Sequence, residues 1–125
     1  MRIPDRTPKF LLLAVAAACL PVSAPAQDRA ALTLQQQTAV RCSAAFAIVA
    51  DAQARGRADA SAYPALAERG QEFFVRTAAQ LMDDRGLSRE QVADLIQTQA
   101  QALWDENAIE AVMPGCLLLL DASGL

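Results

Sequence analysis

The sequence predicts an all-α protein, a small bundle of three long helices and a shorter, proline-interrupted fourth. Three observations lead there. Apolar residues recur at three- and four-residue spacing through most of the chain, and no alternating β-branched run is long enough for a strand. Helix-starting and helix-stopping residues divide this periodic sequence into segments of bundle-helix length. Alanine, at 28 of 125 residues, occupies many of the contact positions, where it favours helix formation and close packing. A chain of this length makes one domain at most.

Residues 1–26 are read as a cleaved signal peptide and residues 27–125 as the single helical domain. Arg2, Arg6 and Lys9 give a positive start, Phe10 to Leu20 an apolar stretch, and Ala24-Pro25-Ala26 the small residues of a cleavage site. Cutting after Ala26 is preferred, because cutting after Ala24 would set Pro25 just past the scissile bond. The apolar run is too short for a bilayer core, which needs roughly 20 residues. The expected location is therefore periplasmic or secreted. Ala16-Ala17-Ala18-Cys19 loosely resembles a lipobox, so a lipid anchor through Cys19 is the alternative. Ala16 in place of leucine, and the ordinary cleavage site just downstream, weigh against it.

The first helix should start at Thr33, with Gln36 reaching back to complete a capping box, and run to Gly56. Ala39, Cys42, Phe46 and Val49 share one face of it, widened by Ala45, Ile48 and Ala52. Arg57 to Ala62 forms a short polar connection, and Pro64 suits the first position of a second helix, where no N–H is needed. That helix should bury Leu66, Phe73 or Phe74, Thr77 and Leu81, and stop at Gly86. Gly70 lies in its interior, where glycine costs about 1 kcal/mol relative to alanine. Close approach of a neighbouring helix explains it best.

A third helix should open at a Ser88–Gln91 capping box flanked by a Leu87–Val92 staple. Its buried stripe is Val92, Leu95, Ile96, Gln99 or Ala100, and Leu103, and the sole tryptophan, Trp104, is expected as a core anchor. Asn107 and Glu110 form another capping pair for the last helix, with Ile109, Val112 or Met113, Cys116 and Leu120 facing inward. At Pro114 that helix either kinks or ends one piece and begins another. The run from Cys116 to Leu120 is apolar on all sides, as expected of a helix in the middle of a bundle.

Residues 27–125 hold two cysteines, Cys42 and Cys116, which in an exported chain predict one disulfide tying the first helix to the last. A tetrahedral metal site would need further ligands, and there is no histidine and no third cysteine in this part. No cofactor is expected.

The same 99 residues carry eight arginines, no lysine and 13 acidic residues, a formal charge of −5 that disfavours nucleic acid. Without histidine or lysine, neither a Ser-His-Asp arrangement nor Schiff-base chemistry is open to them. Glu68 and Glu72 stand one turn apart, but Arg76 lies four residues after Glu72, as Arg55 does after Asp51, and such pairs decorate a solvated face. Asp83-Asp84 lacks the later ligands of a calcium loop, and Asp105-Glu106 reads as exposed acid near a helix junction. No catalytic residue is assigned.

The segments Arg41-Cys42-Ser43-Ala44-Ala45-Phe46, Tyr63-Pro64-Ala65-Leu66-Ala67-Glu68-Arg69-Gly70 with Phe73-Phe74-Val75-Arg76, and Met113-Pro114-Gly115-Cys116 with Leu120-Asp121-Ala122-Ser123-Gly124-Leu125 carry a resemblance. They look like those of a group of small exported helical proteins of alphaproteobacteria, notably sphingomonad relatives, to which no activity is assigned. The resemblance covers most of residues 27–125 and implies export and a helical fold. In architecture alone the chain is also similar to the periplasmic acid-stress chaperones of enteric bacteria, and to small disulfide-bonded immunity proteins of secretion-system toxins.

These observations lead to a non-enzymatic periplasmic or secreted protein that binds or stabilises another macromolecule, in a chaperone-like way. An inhibitor or immunity protein with one specific protein partner is the alternative.

Overall fold

The computed structural model describes residues 31–125, so the signal-peptide reading of residues 1–26, Cys19 included, lies outside the described residues. Four α-helices account for most of the domain: α1 (Leu34–Ala54), α2 (Ala67–Arg85), α3 (Arg89–Asp105) and α4 (Ile109–Ala122). A 3₁₀ turn, Ala58–Ala62, lies between α1 and α2, and there is no strand among the described residues.

Helix α1 begins where its capping box requires. The Thr33 hydroxyl accepts the Gln36 N–H at 3.1 Å, and the Gln36 side-chain oxygen accepts the Thr33 N–H at 3.0 Å. At its far end Gly56 turns left-handed (φ 69°), letting Arg57 N–H reach the Ala52 carbonyl and Gly56 N–H that of Gln53. Between these ends Val40, Cys42, Ser43, Ala44, Ala45, Phe46 and Val49 are all buried, so α1 is enclosed on most sides and packs against each of the other helices. The buried Ser43 hydroxyl donates to the Ala39 carbonyl one turn back, at 2.8 Å.

Thus α1, and not the leucine run of the last helix, is the middle of the bundle. Small side chains explain this: Ser43, Ala44 and Ala45 admit neighbours on several sides at once, whereas bulky leucines keep them at a distance. In α4 only Met113, Cys116 and Leu120 are buried, and Leu118 is 72% exposed.

The start of α2 departs from the sequence expectation. Pro64 precedes the helix rather than opening it; Tyr63 is extended (φ −98°, ψ 153°), as the residue before a proline prefers. The cap is supplied from α1. Gln53 Oε1 accepts the Leu66 N–H at 3.1 Å, while Gln53 Nε2 faces the carbonyls of Ala60, Tyr63 and Pro64 at 3.2, 3.2 and 2.9 Å. One amide group therefore fixes the whole connection. Replacing it with leucine leaves these main-chain groups unsatisfied, at about 1–3 kcal/mol for a buried one. Gln53→Leu should lower stability by about 2 kcal/mol, with hydrogen exchange at the Leu66 amide accelerated beyond the rest of α2.

Along α2, Gly70, Phe73, Thr77 and Leu81 are buried as the periodicity requires. Gly70 meets α1 closely: a Cβ placed there would lie 3.0 Å from the Phe46 Cβ. The Phe46 and Phe73 rings pack edge to face with centroids 5.3 Å apart.

Helix α3 opens at the expected Ser88–Gln91 capping box, with bonds of 3.1 and 2.8 Å, and buries Val92, Ile96 and Leu103. Its end differs from the reading of Asn107 as a cap for the next helix. Asn107 is left-handed (φ 50°) and closes α3: its N–H reaches the Trp104 carbonyl, and Ala108 N–H reaches that of Leu103. Asparagine tolerates this backbone better than other non-glycine residues. Helix α4 then starts after Ala108 with no side-chain cap.

Helix α4 runs uninterrupted through Pro114, which is exposed. Cys116 is bonded to Cys42, with Cα atoms 5.3 Å apart, so the disulfide joins α4 to the central helix. The end of α4 is also fastened to α2. Arg69 pairs with Asp121 at 2.6 Å and donates to the Leu125 main-chain oxygen, and Arg76 donates to the Ser123 carbonyl.

Candidate functional site

An open groove of about 430 Å³ lies along the C-terminal half of α1, lined on one side by the segment fixed by Gln53 and on the other by the left-handed turn at Asn107. Its apolar surface comes from Ile48, Val49 and Ala52 of α1 and from Leu103 and Ile109. Tyr63, half-buried, lines it from the α1–α2 connection, and Trp104 lines it from the last turn of α3.

Trp104 is not a core anchor: it is 56% exposed. The neighbouring Leu103 takes the core position, and a residue one step along a helix is turned about 100° away. The spacing from Val92 through Ile96 to Leu103 held this information, since it places Leu103 on the buried stripe and Trp104 beside it. Tyr63 and the polar connection carried no comparable sequence signal, because the Gln53 cap that positions them is a contact between elements.

Charged groups edge the groove. Arg57 donates from Nε and Nη2 to the two carboxylate oxygens of Asp59 at 3.2 and 2.8 Å. These hydrogen bonds hold the Asp59 carboxyl below its ordinary range, and the same hydrogen bond and charge raise the Arg57 guanidinium. For a carboxyl whose pKa is depressed on folding, the stabilisation is present above the unfolded value, near pH 4, and disappears as pH falls through the lower folded value. A carbon-detected NMR titration should find Asp59 depressed in the native protein and returned toward the ordinary range in Arg57→Gln. An unchanged titration in that variant would show that Arg57 is not the cause.

Glu110 also lines the groove, from the first turn of α4. Beyond it, Glu106 pairs with Arg41 at 2.7 Å, and Asp105 accepts from the Gln101 amide at 2.9 Å.

The other acidic residues singled out in the sequence decorate the surface. Glu72 pairs with Arg76 at 3.2 Å and Asp51 with Arg55 at 2.9 Å, both one helical turn apart, and Glu68, Asp83 and Asp84 are exposed. Neither Glu68 nor Glu72 lines the groove. Among the described residues no three of the His, Cys, Asp and Glu side chains converge as metal ligands would. None of the described helices is long and apolar enough to cross a membrane.

Two further hollows are less suited to a ligand. One, of about 270 Å³, lies over the α1–α2 seam around Gly70 and Phe74. The other is a shallow, polar depression on α3 between Asp94 and Asp105. Comparison with known proteins finds no matching family model, no matching curated protein and no matching solved structure.

Proposed function

We propose that this chain is an exported, non-enzymatic binding protein that holds another protein through the groove around Trp104. The exposed tryptophan carries the reading. In a chain with so few aromatic residues, a Trp on the wall of an apolar groove, with Tyr63 lining the same groove, has the composition of a binding hot spot. A rigid, amphipathic ring gives much contact area at little entropic cost.

Export is supported by the leader-like residues 1–26 and by the disulfide, which belongs to an oxidising compartment. A binding role rather than catalysis is supported by the residue kinds at the groove, an exposed ion pair and one carboxylate, with no histidine or lysine in residues 27–125. One specific partner is favoured over broad chaperone-like holding. The other large exposed apolar side chains, Leu34, Val75, Met82 and Leu118, are spread over three helices, whereas the groove is a single place.

Trp104→Ala tests this. Being half-exposed, the side chain should cost less than about 2 kcal/mol in urea unfolding, short of the roughly 3–5 kcal/mol of a buried aromatic. Affinity capture from a cell-envelope fraction should then give a partner that the folded variant no longer retains. Equal capture by both proteins, or no partner with either, overturns the proposal.

A further inference from the structure

We infer that the groove recognises a cationic side chain, an arginine or lysine presented by the partner's segment, with the cation against Trp104 and the carboxylate of Glu110. This rests on the binding role proposed above and specifies its chemistry. The argument is one of charge complementarity. Arg57 is committed to Asp59 through two hydrogen bonds, and Arg41 to Glu106. Glu110 has no hydrogen-bonding or ion-pairing side chain opposite it among the described residues, although it lines the groove.

Among the residues that line the groove, the carboxylates of Asp59 and Glu110 outnumber the guanidinium of Arg57. An anionic ligand would therefore meet net negative charge, the one guanidinium lining the groove, Arg57, being already held by Asp59. A guanidinium or ammonium ion is attracted both by the carboxylates and by the face of an indole ring. The apolar floor of Ile48 and Val49 suits the aliphatic stem of such a side chain, which carries its charge at the tip. The formal charge of −5 on residues 27–125 would steer a basic segment toward the domain at low ionic strength.

Glu110 also lies where a helix N-terminus favours negative charge, so loss of stability in a Glu110 variant would not discriminate. Binding selectivity does. Two capped heptapeptides serve as probes, identical except for one central residue flanked by leucines, arginine in one and its neutral isostere citrulline in the other. Calorimetry and the Trp104 indole N–H resonance follow their binding to the full domain.

The arginine peptide should bind about ten-fold more tightly, with the indole resonance shifted. In Glu110→Gln, and separately in 0.5 M salt, the preference should shrink to about three-fold or less. Equal binding of the two peptides overturns the charge preference and leaves a groove that takes apolar segments. Binding of neither peptide also overturns it, and the Trp104-dependent capture described above then decides separately whether the groove binds a protein.

Discussion

Replacing Cys42 and Cys116 together by alanine should lower the free energy of unfolding by about 2–5 kcal/mol, the range for loss of a native disulfide from a small domain. The bond spans 74 positions, for which the loop-closure estimate is about 4.4 kcal/mol. Total stability for a domain of this size is about 5–15 kcal/mol, so the loss is a large share of it.

Its structural setting adds to the effect. Helix α4 fully buries only Met113, Cys116 and Leu120, one of them the disulfide cysteine, and its other core contacts, from Ile109, Val112, Leu117 and Leu119, are half-buried, so the covalent tie is a large part of what holds it. Because the bond also restricts the unfolded chain, the variant's unfolded state should expose more surface. Urea unfolding should therefore show a lower midpoint and a steeper denaturant dependence than the oxidised protein. Coincident curves for the two proteins would show that the bond contributes nothing.

Phe46→Ala should cost about 3–5 kcal/mol, the figure for a fully buried aromatic. Phe46 is completely buried on the central helix, edge-on to Phe73 and directly beneath Gly70, so its loss removes contacts on both sides of the α1–α2 seam. The hollow at that seam is lined by Phe46 itself, so removing the ring enlarges a space that is already open. A retained Cβ is a further consequence of the alanine choice. Since a methyl at position 70 would lie 3.0 Å from the Cβ of residue 46, Phe46→Ala keeps that tight contact for Gly70→Ala while removing the one with Cγ. A double-mutant cycle measured by urea unfolding checks both points, and a loss under about 1 kcal/mol for Phe46→Ala would show that the seam closes over the cavity.

What the sequence made legible was local or periodic. The Thr33–Gln36 and Ser88–Gln91 boxes lie within single turns, and the Phe73–Thr77–Leu81 face repeats at helical spacing; each was found where expected. The two cysteines could be paired because residues 27–125 hold no other. Gly70 signalled a close approach without naming Phe46 as the neighbour.

The misreadings are of another kind. Pro64 and Asn107 each have two good local roles, as helix starter or flanking turn; at Asn107 the left-handed backbone that closes α3 prevailed. For Pro64 the deciding contact is the Gln53 amide, eleven positions away. For α4, the spacing from Cys116 identified Leu120 as buried, but a run of consecutive apolar residues does not show that its other side, at Leu118, is left exposed. Placing α1 in the centre required comparing the size of its side chains with those of every other helix. The groove was illegible for the same reason, being built from the edges of four separate segments.

The Cys42–Cys116 bond also changes what a broken backbone means for this molecule. A single cut anywhere between those two residues, at the exposed Arg55–Arg57 turn for example, yields two pieces that remain one covalent species. They cannot diffuse apart, so the groove beside that turn can be nicked without its two sides being released from each other. A cut and reduction are both needed to free the fragments, in either order, so neither event alone separates the two sides of the groove.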